Sequence, residues 1–340
     1  MIVKERFVQK FYIFAVLLYS SVGLWAVPVN SYAMMEDEDH AEHMRVLNLA
    51  SDEAATYISV KSGAWEDSAT WGGNAPDDGA RVIIAEGHEV EVRSKLEPAI
   101  RTLRVDGKLS FDPAQDTEIT FDTLVVNMSG TLEIGSEGQP IQNNKTARLI
   151  VSDYQSEGFE VSDPLSPDYD PAKLGLGIIS MGAVQMFGQE KTPFVSIGEL
   201  VQGTTAIMLD ETPDGWKAGD KIVITNGYGK HENEEVRSIG SIEGISGDVL
   251  TLNEPLAYEH VVSKSLMTAP TFDMHVLNME RNIKIETTES GRAGTPTTST
   301  SRSDRGKETF ENRGHIMLMG SENVSINYVE LGHLGRSSKQ

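Results

Sequence analysis

Four residues near the end of the chain have side chains suited to acid–base chemistry: His315, Glu330, His333 and Arg336. A histidine serves as a base near neutral pH, and an arginine holds a carboxylate through two parallel hydrogen bonds. If neighbouring strands bring the four together, they suit polysaccharide cleavage. Hydrolysis needs two carboxylates about 5–10 Å apart, whereas elimination needs a base and a cation beside a uronate. The simpler alternative is that His315 pairs with a loop carbonyl and Arg336 is a surface charge.

Two further sets of residues are candidates for ligand binding. Trp65 and Trp71 would form a stacking platform for a sugar, or they would close the open end of a repeat fold. Arg302, Arg305 and Arg313 form a basic patch in a long polar segment. The net charge of −22 argues against nucleic acids and anionic membranes as partners. It favours a neutral polysaccharide, because a polyanion would bind only at such a local basic patch.

Cofactor motifs are absent from the sequence. There is no phosphate-binding loop, nucleophile elbow, zinc spacing or dinucleotide fingerprint, so no cofactor and no metal site is predicted. Calcium is the one candidate ion, through Asp163, Asp168 and Asp170, although a solvated loop is the simpler interpretation. The chain has no cysteine, which fits a bacterial envelope or extracellular protein better than an animal one.

The first 55 residues indicate export followed by an acidic leader. Residues 1–33 combine a basic start, an apolar run over 11–27 and small residues at Ser31 and Ala33, which is typical of a cleaved signal peptide. A retained membrane anchor is the alternative. Residues 34–55 are expected to be a solvated leader with a short helix at Arg45–Leu49.

Three repeated units then place these residues on a scaffold. Each unit is a short apolar strand, a turn with glycine and a second apolar strand, and the first strands begin at Val82, Leu103 and Leu124. The step of 21 residues predicts stacked repeats, in which each unit buries its apolar face against its neighbours. The turn glycines are expected to adopt positive φ.

The repeats are expected to be interrupted once. Residues 56–190 form the first repeats, and residues 191–265 contain short strands and tight turns that predict a small inserted antiparallel β subdomain. Residues 266–340 resume the repeats, with Val276–Leu277 among the resumed strands. No polar repeat closes the end of the chain, so the sequence is expected to be the front part of a longer molecule or to need a partner.

Several collinear motifs in this sequence resemble the G-eight domain, a family named for its eight glycines. The motifs are Gly63-Ala64-Trp65, Gly79-Ala80-Arg81-Val82-Ile83-Ile84, Val105-Asp106-Gly107-Lys108-Leu109, Gly130-Thr131-Leu132-Glu133-Ile134-Gly135, Gly215-Trp216-Lys217-Ala218-Gly219-Asp220, Pro255-Leu256-Ala257-Tyr258-Glu259-His260 and Arg313-Gly314-His315-Ile316. The resemblance implies an all-β exported protein built on a right-handed parallel β-helix. Animal relatives include fibrocystin and proteins that bind or depolymerise hyaluronan.

Two functions of different class follow from these observations. The first is an extracellular binding module for a carbohydrate or matrix polymer, with a polysaccharide or glycoprotein as partner. The second is the N-terminal part of a polysaccharide-degrading β-helix enzyme whose catalytic region lies beyond residue 340. In both cases the protein is expected to be secreted or in the cell envelope.

Overall fold

The structure, a computed structural model, describes residues 41–152, 161–225, 237–261, 273–288, 295–296, 308–309, 313–321 and 323–336. The predicted signal peptide at 1–33 lies outside the described residues, as do Arg302 and Arg305. In the described part the protein is mostly β, as predicted. No helix in these ranges has the length and apolar character to cross a bilayer.

The described helical residues are 41–48 and a 3₁₀ turn at Ser68–Thr70. The strands are β1 Tyr57–Ile58, β2 Gly63–Ala64, β3 Arg81–Ile84, β4 Glu89–Val92, β5 Lys95–Val105, β6 Lys108–Phe111, β7 Thr117–Val126, β8 Thr131–Ile134, β9 Ala147–Val151, β10 Gly177–Ser180, β11 Ala183–Phe187, β12 Phe194–Ile197, β13 Ala206–Met208, β14 Lys221–Thr225, β15 Arg237–Ser246, β16 Val249–Leu252, β17 Met274–Asn278, β18 Ile283–Thr287, β19 Thr295–Pro296, β20 Glu308–Thr309, β21 His315–Leu318, β22 Val324–Asn327 and β23 Val329–Gly332.

Two of the sheets are parallel, and the chain alternates between them to build three columns of strands. Column 1 contains β1, β3, the second halves of β5 and β7, β10 and β21. Column 2 contains β2, β4, β6, β8, β11 and β22. Column 3 contains the first halves of β5 and β7, then β9, β18 and β23. One passage of the chain through the columns is called a tier below.

The register within each column places residues of successive repeats side by side. In column 1, Leu103 pairs with Val82 on one side and with Leu124 on the other, so the 21-residue step predicted from the sequence is confirmed. In column 2, Leu109 pairs with Leu132, which lies 23 residues further along the chain. All five side chains are at most 1% exposed. Each such burial stabilises the fold by about 2 kcal/mol relative to exposure.

The turns between columns 1 and 2 are too crowded for a side chain. A Cβ on Gly107 would lie 2.3 Å from the carbonyl oxygen of His88, and one on Gly130 would lie 2.0 Å from that of Val105. Gly182, in a later tier, is crowded in the same way. None of these three glycines has positive φ, contrary to the expectation from sequence, whereas Gly87 in the turn of the first repeat has φ of 79°, as expected. Glycine is therefore required at these three positions because the neighbouring tier approaches closely, and not because the turn needs a positive φ.

The antiparallel sheet lies between β11 and β18, in the order β12-β17-β14-β15-β16-β13, and has its own hydrophobic core. Val276–Leu277, expected among the resumed parallel strands, instead belong to β17, which pairs antiparallel with β12 and β14. That expectation was wrong because Val276 is buried opposite Val195 within this sheet. The antiparallel sheet therefore extends to Asn278, beyond the expected boundary at residue 265.

A buried ion pair connects the segments that precede β12 and β14 of the antiparallel sheet. The Nζ of Lys191 lies 2.8 Å from Oδ2 of Asp220, and the two residues are 3% and 1% exposed. The same carboxylate oxygen accepts hydrogen bonds from the backbone N–H of Lys217 and the side-chain amide of Asn278. The contact with Lys217 confirms that Asp220 stabilises the turn before β14. The pair joins the segment before β12, which contains Lys191, to the turn before β14 and to the end of β17.

The crowding at the turn glycines predicts the effect of adding one methyl group. Gly130→Ala should lower the free energy of unfolding by about 3 kcal/mol, because the new Cβ meets a backbone carbonyl that cannot rotate away. Gly138→Ala is the matched control, since no atom lies within 4 Å of its Cβ position and its φ is not positive. Urea unfolding of both variants checks this. Equal stability of the two would contradict the stacking explanation.

Candidate ligand-binding groove

A helix covers the outer face of column 1 and forms one wall of a groove. Val46 and Ala50 pack against Val125 and Ile179, which are neighbours in register on β7 and β10. Apolar side chains on the outer face of a sheet need such a cover to leave water. The predicted short helix is confirmed, but the expectation of a wholly solvated segment over 34–55 is wrong, because Val46 is fully buried.

Arg104 fixes the end of this helix to the sheet. It lies in column 1, next to Val125 in register, and is 8% exposed. Its guanidinium donates to the carbonyl oxygen of Ala50 at 2.9 Å and to the carboxylates of Asp52 and Asp106 at 2.6 and 2.8 Å. Five donors in a rigid plane satisfy several acceptors at once, which a lysine would not do. The wall therefore has a fixed position.

Residues 162–175 form the opposite wall, and Asp168 ties it to the sheet. Its Oδ1 accepts hydrogen bonds from Arg81 at 2.5 Å and from Arg101 at 3.0 Å. Arg101 also pairs with Asp122, which accepts a hydrogen bond from Ser152 at 2.7 Å. Burial alone would raise the pKa of Asp168, but the hydrogen bond from Arg81 and the charge of Arg101 outweigh it and lower the pKa below its usual value of 3.8.

A second anchor lies at the end of the same wall. The carboxylate of Asp170 accepts the backbone N–H groups of Leu174 and Gly175 at 2.9 and 2.7 Å. Arg336 donates from Nη2 to the carbonyl oxygens of Lys173 and Gly175, both at 2.9 Å. Burial lowers the pKa of Arg336, and the charge of Asp170 opposes that shift. The wall is thus held from behind by the last described residue of the chain.

Between the two walls lies a groove of about 610 Å³. Its apolar lining includes Tyr169 and Leu165, which are 38% and 92% exposed, together with three prolines. Asn48, Ser51 and Ser166 supply amide and hydroxyl groups. The charged lining residues are Arg45, Glu53 and Asp170. A volume of this size lies within the range of about 300–1,000 Å³ found for ligand sites.

The wall that carries Asp168 falls within a segment shared with a known family. Residues 70–197 match the family model of the G8 domain. The chain resembles that family and fibrocystin, as the sequence motifs indicate. The match includes Arg81, Arg101, Asp122 and residues 162–175, but it does not include the helix that forms the other wall.

Relatives that match more than half of the chain agree with the G8 match. Human fibrocystin-L is 26% identical over 226 residues, which cover 64% of this chain and 5% of the relative. Mouse fibrocystin-L is 25% identical over 329 residues, which cover 87% of this chain and 7% of the relative. The chain therefore spans less than a tenth of the length of these relatives. Among solved structures, the tailspike gp61 of Pseudomonas phage phi297 is similar over 70% of this chain and 27% of its own, at 10% identity and a TM-score of 0.24.

The structure brings two of the four predicted catalytic residues into contact. Nδ1 of His315 lies 2.9 Å from Nη2 of Arg336 and 3.0 Å from the carbonyl oxygen of Leu176. The second contact is the pairing with a loop carbonyl that the simpler sequence interpretation expects. Both side chains contact backbone carbonyl groups at or next to the end of the wall formed by residues 162–175. These contacts hold the wall in place.

Glu330 and His333 belong to other contact sets. The carboxylate of Glu330 lies 3.3 Å from Nζ of Lys284, which also pairs with Glu280. Lys284 and Glu330 are neighbours in register in column 3, so their pairing follows from the stacking of tiers. His333 is exposed, with φ of 53°, and its carbonyl oxygen accepts a hydrogen bond from Thr287.

The predicted binding residues also lie apart from the groove. Trp65 and Trp71 are 2% and 7% exposed, and their rings meet edge to face with centroids 5.1 Å apart. The indole N–H of Trp71 donates to the carbonyl oxygen of Trp65 at 2.7 Å. Rings buried in the core cannot stack on a sugar, so this geometry favours the closing role. Arg313 is half-buried in the approach to β21.

The three aspartates considered for calcium are already engaged. Asp168 pairs with two arginines, Asp170 accepts two backbone amides, and Asp163 accepts the backbone N–H of Leu165 at 3.0 Å. In the described ranges no three histidine, aspartate or glutamate side chains are grouped to hold a metal ion. These carboxylates act as anchors for the loop.

The groove itself was missed from the sequence. Arg45, Asn48 and Tyr169 carry no motif, and the helix and the loop that bring them together are more than a hundred residues apart. The sequence contained one signal for the ion pair between Arg101 and Asp122, which supports the wall through Asp168. Arg101 and Asp122 are 21 residues apart, the step of the repeat, so the stacking predicts that their side chains lie side by side.

The ion pairs of Asp168 predict a pH-dependent contribution to stability. Asp168→Asn should lower the free energy of unfolding by about 1–3 kcal/mol at pH 7, because it removes charge-assisted hydrogen bonds from Arg81 and Arg101. The lowered pKa means that the carboxylate stabilises the fold above the unfolded pKa, and that this stabilisation is lost as the pH falls through the folded pKa. The difference between wild type and variant should therefore shrink towards pH 3.

Urea unfolding at pH 7 and pH 3 measures both values. Asp163→Asn is the control from the same loop. Among the described residues its carboxylate accepts the backbone N–H of Leu165 and no other hydrogen bond, and an asparagine oxygen accepts that bond equally well. That variant should stay within about 0.5 kcal/mol of wild type. A pH-independent difference for Asp168→Asn would show that the ion pairs are not its cause.

Proposed function

We propose that this chain is an extracellular carbohydrate- or matrix-binding module that binds a neutral saccharide in the groove between residues 42–54 and 164–174. The observation that carries the proposal is the groove itself: its volume suits a small ligand and its walls are fixed by the contacts of Arg104, Asp168 and Arg336. A preorganised site loses less free energy to ordering when a ligand binds. The resemblance to the G8 domain and to fibrocystin supports the same class of function.

The lining matches the two sides of a sugar ring. A pyranose has an apolar C–H face and a rim of hydroxyl groups. The aromatic ring of Tyr169 and the side chain of Leu165 suit the first, and the amide of Asn48 and the hydroxyls of Ser51 and Ser166 suit the second. Aromatic side chains contribute apolar contact area with a polar tip, which is why they are frequent at binding surfaces.

The charges of the lining favour a neutral ligand over a polyanion. Arg45 is the one cation among the lining residues, and Glu53 and Asp170 are opposite in charge to it. The chain as a whole carries −22. A polyanion such as hyaluronan would be repelled over about 8 Å at physiological salt, unless a basic patch offset the bulk charge. The partner we propose is therefore a neutral polysaccharide or the glycan of a glycoprotein.

The proposed setting of this module is outside the cell. We infer that residues 1–33 direct export and are removed, so that the secreted or envelope-bound protein begins at Met34, which its intact mass would test. We also infer that the three columns wind as a right-handed parallel β-helix. Parallel strands are joined by right-handed connections in nearly all proteins, and an experimental structure would show the hand directly.

Binding measurements on one groove residue test the proposal. Tyr169→Ala should weaken binding of a neutral hexasaccharide at least tenfold, because it removes an aromatic contact of about 1.4 kcal/mol from the lining of the groove. The probes are cellohexaose, laminarihexaose, mannohexaose and xylohexaose, titrated by calorimetry, with a hyaluronan hexasaccharide as the anionic comparison.

Val201→Ala is the control for this measurement, because Val201 is 72% exposed and does not line the groove. It should bind like wild type. Unchanged binding by Tyr169→Ala would contradict the placement of the ligand in the groove. Binding of the hyaluronan probe alone would contradict the neutral ligand class.

A further inference from the structure

The antiparallel sheet carries an exposed aromatic ring that is not part of its hydrophobic core. Phe194 begins β12, at one edge of the sheet, and is 53% exposed. Its ring meets the imidazole of His275 edge to face, with centroids 5.2 Å apart and planes at 86°. The opposite face of the same strands is the buried one, where Val195 and Val276 are each at most 1% exposed. The ring of Phe194 is therefore held in place but not covered.

The neighbours of Phe194 extend this surface across three strands. Phe194 pairs with Leu277 on β17, and Leu277 pairs with Val223 on β14, which makes an apolar row. Ser196 pairs with His275 in a second row, two residues further along the strands. Two residues in a strand span about 6.7 Å. The surface thus offers an apolar row beside a row with a hydroxyl and an imidazole.

The two rows have the chemistry of a site for one sugar ring. The C–H bonds on one face of a pyranose carry small positive charges, and they are attracted to the negative face of an aromatic ring. The hydroxyl groups at the rim of the sugar need partners such as Ser196 and His275, because an unsatisfied polar group at a contact is costly. On β12, β17 and β14 neither row contains Asp, Glu, Lys or Arg, which suits a neutral ligand. Lys221 lies two residues from Val223 on β14, and Arg237 on β15 pairs with Thr225 of β14.

We propose that the outer face of β12, β17 and β14 is a second saccharide-binding site, at which a pyranose of a neutral polysaccharide stacks on Phe194 and hydrogen-bonds to Ser196 and His275. The inference rests on the proposed function, because it takes the same class of ligand. It adds a contact on the antiparallel sheet to the groove beside column 1. A polymer bound at two sites on one chain gains avidity only where it spans both.

The test compares Phe194→Ala, Phe194→Trp and wild type with the four neutral hexasaccharides named above. Phe194→Ala should weaken binding at this site at least tenfold, and Phe194→Trp should retain it, because the larger ring offers the same face. Calorimetric titration of Tyr169→Ala, in which the groove is impaired, isolates the second site. Thermal unfolding should be unchanged in Phe194→Ala, since the ring lies outside the buried core.

Met208→Ala is the matched control, an exposed apolar residue on β13 of the same sheet, 62% exposed, and it should bind like wild type. If Phe194→Ala binds every hexasaccharide as wild type does while Tyr169→Ala is impaired, the second site is overturned and the groove stands. If Phe194→Ala is impaired while Tyr169→Ala is not, the second site stands and the groove is overturned. If wild type binds none of the probes, both are overturned.

Discussion

Register between stacked parallel strands is the constraint on which the rest of this structure depends. Once Val82, Leu103 and Leu124 lie side by side, the remaining residues of these strands lie beside their counterparts in the next tier. The inward residues build a continuous core, and the turn glycines let the tiers approach to hydrogen-bonding distance. The outward residues become ladders whose chemistry is free to vary. A shift of one residue would exchange these two sets.

The binding groove follows from two such ladders. On the outer face of column 1, Arg104 is the polar member of an otherwise apolar ladder, and it fixes the helix that covers the others. At the corner between columns 3 and 1, Arg101 and Asp122 pair across tiers and Asp168 joins them from the loop. Each ion pair is partly shielded from water, so removing one partner costs more than at an open surface. The walls of the groove are thus set by the stacking.

The sequence predicted the repeated β architecture well because the apolar alternation and the 21-residue step are local signals. It also predicted that Asp220 stabilises a turn. It assigned Val276–Leu277 to the wrong sheet, because an apolar strand of this length fits either environment until its partner is known. The four polar residues near the end were grouped because they are close in sequence. In the structure Glu330 pairs in register with Lys284, whereas His315 contacts Arg336. The groove joins segments distant in sequence, which no local pattern indicates.

The most direct test of saccharide binding in the groove is hydrogen–deuterium exchange of the full chain, with and without a saturating neutral hexasaccharide identified by titration. A ligand held between two fixed walls shields their backbone amides and suppresses local opening. Exchange should slow in residues 42–54 and 164–174 when the ligand is present. Unchanged exchange in both segments at full saturation would contradict the assignment of the site.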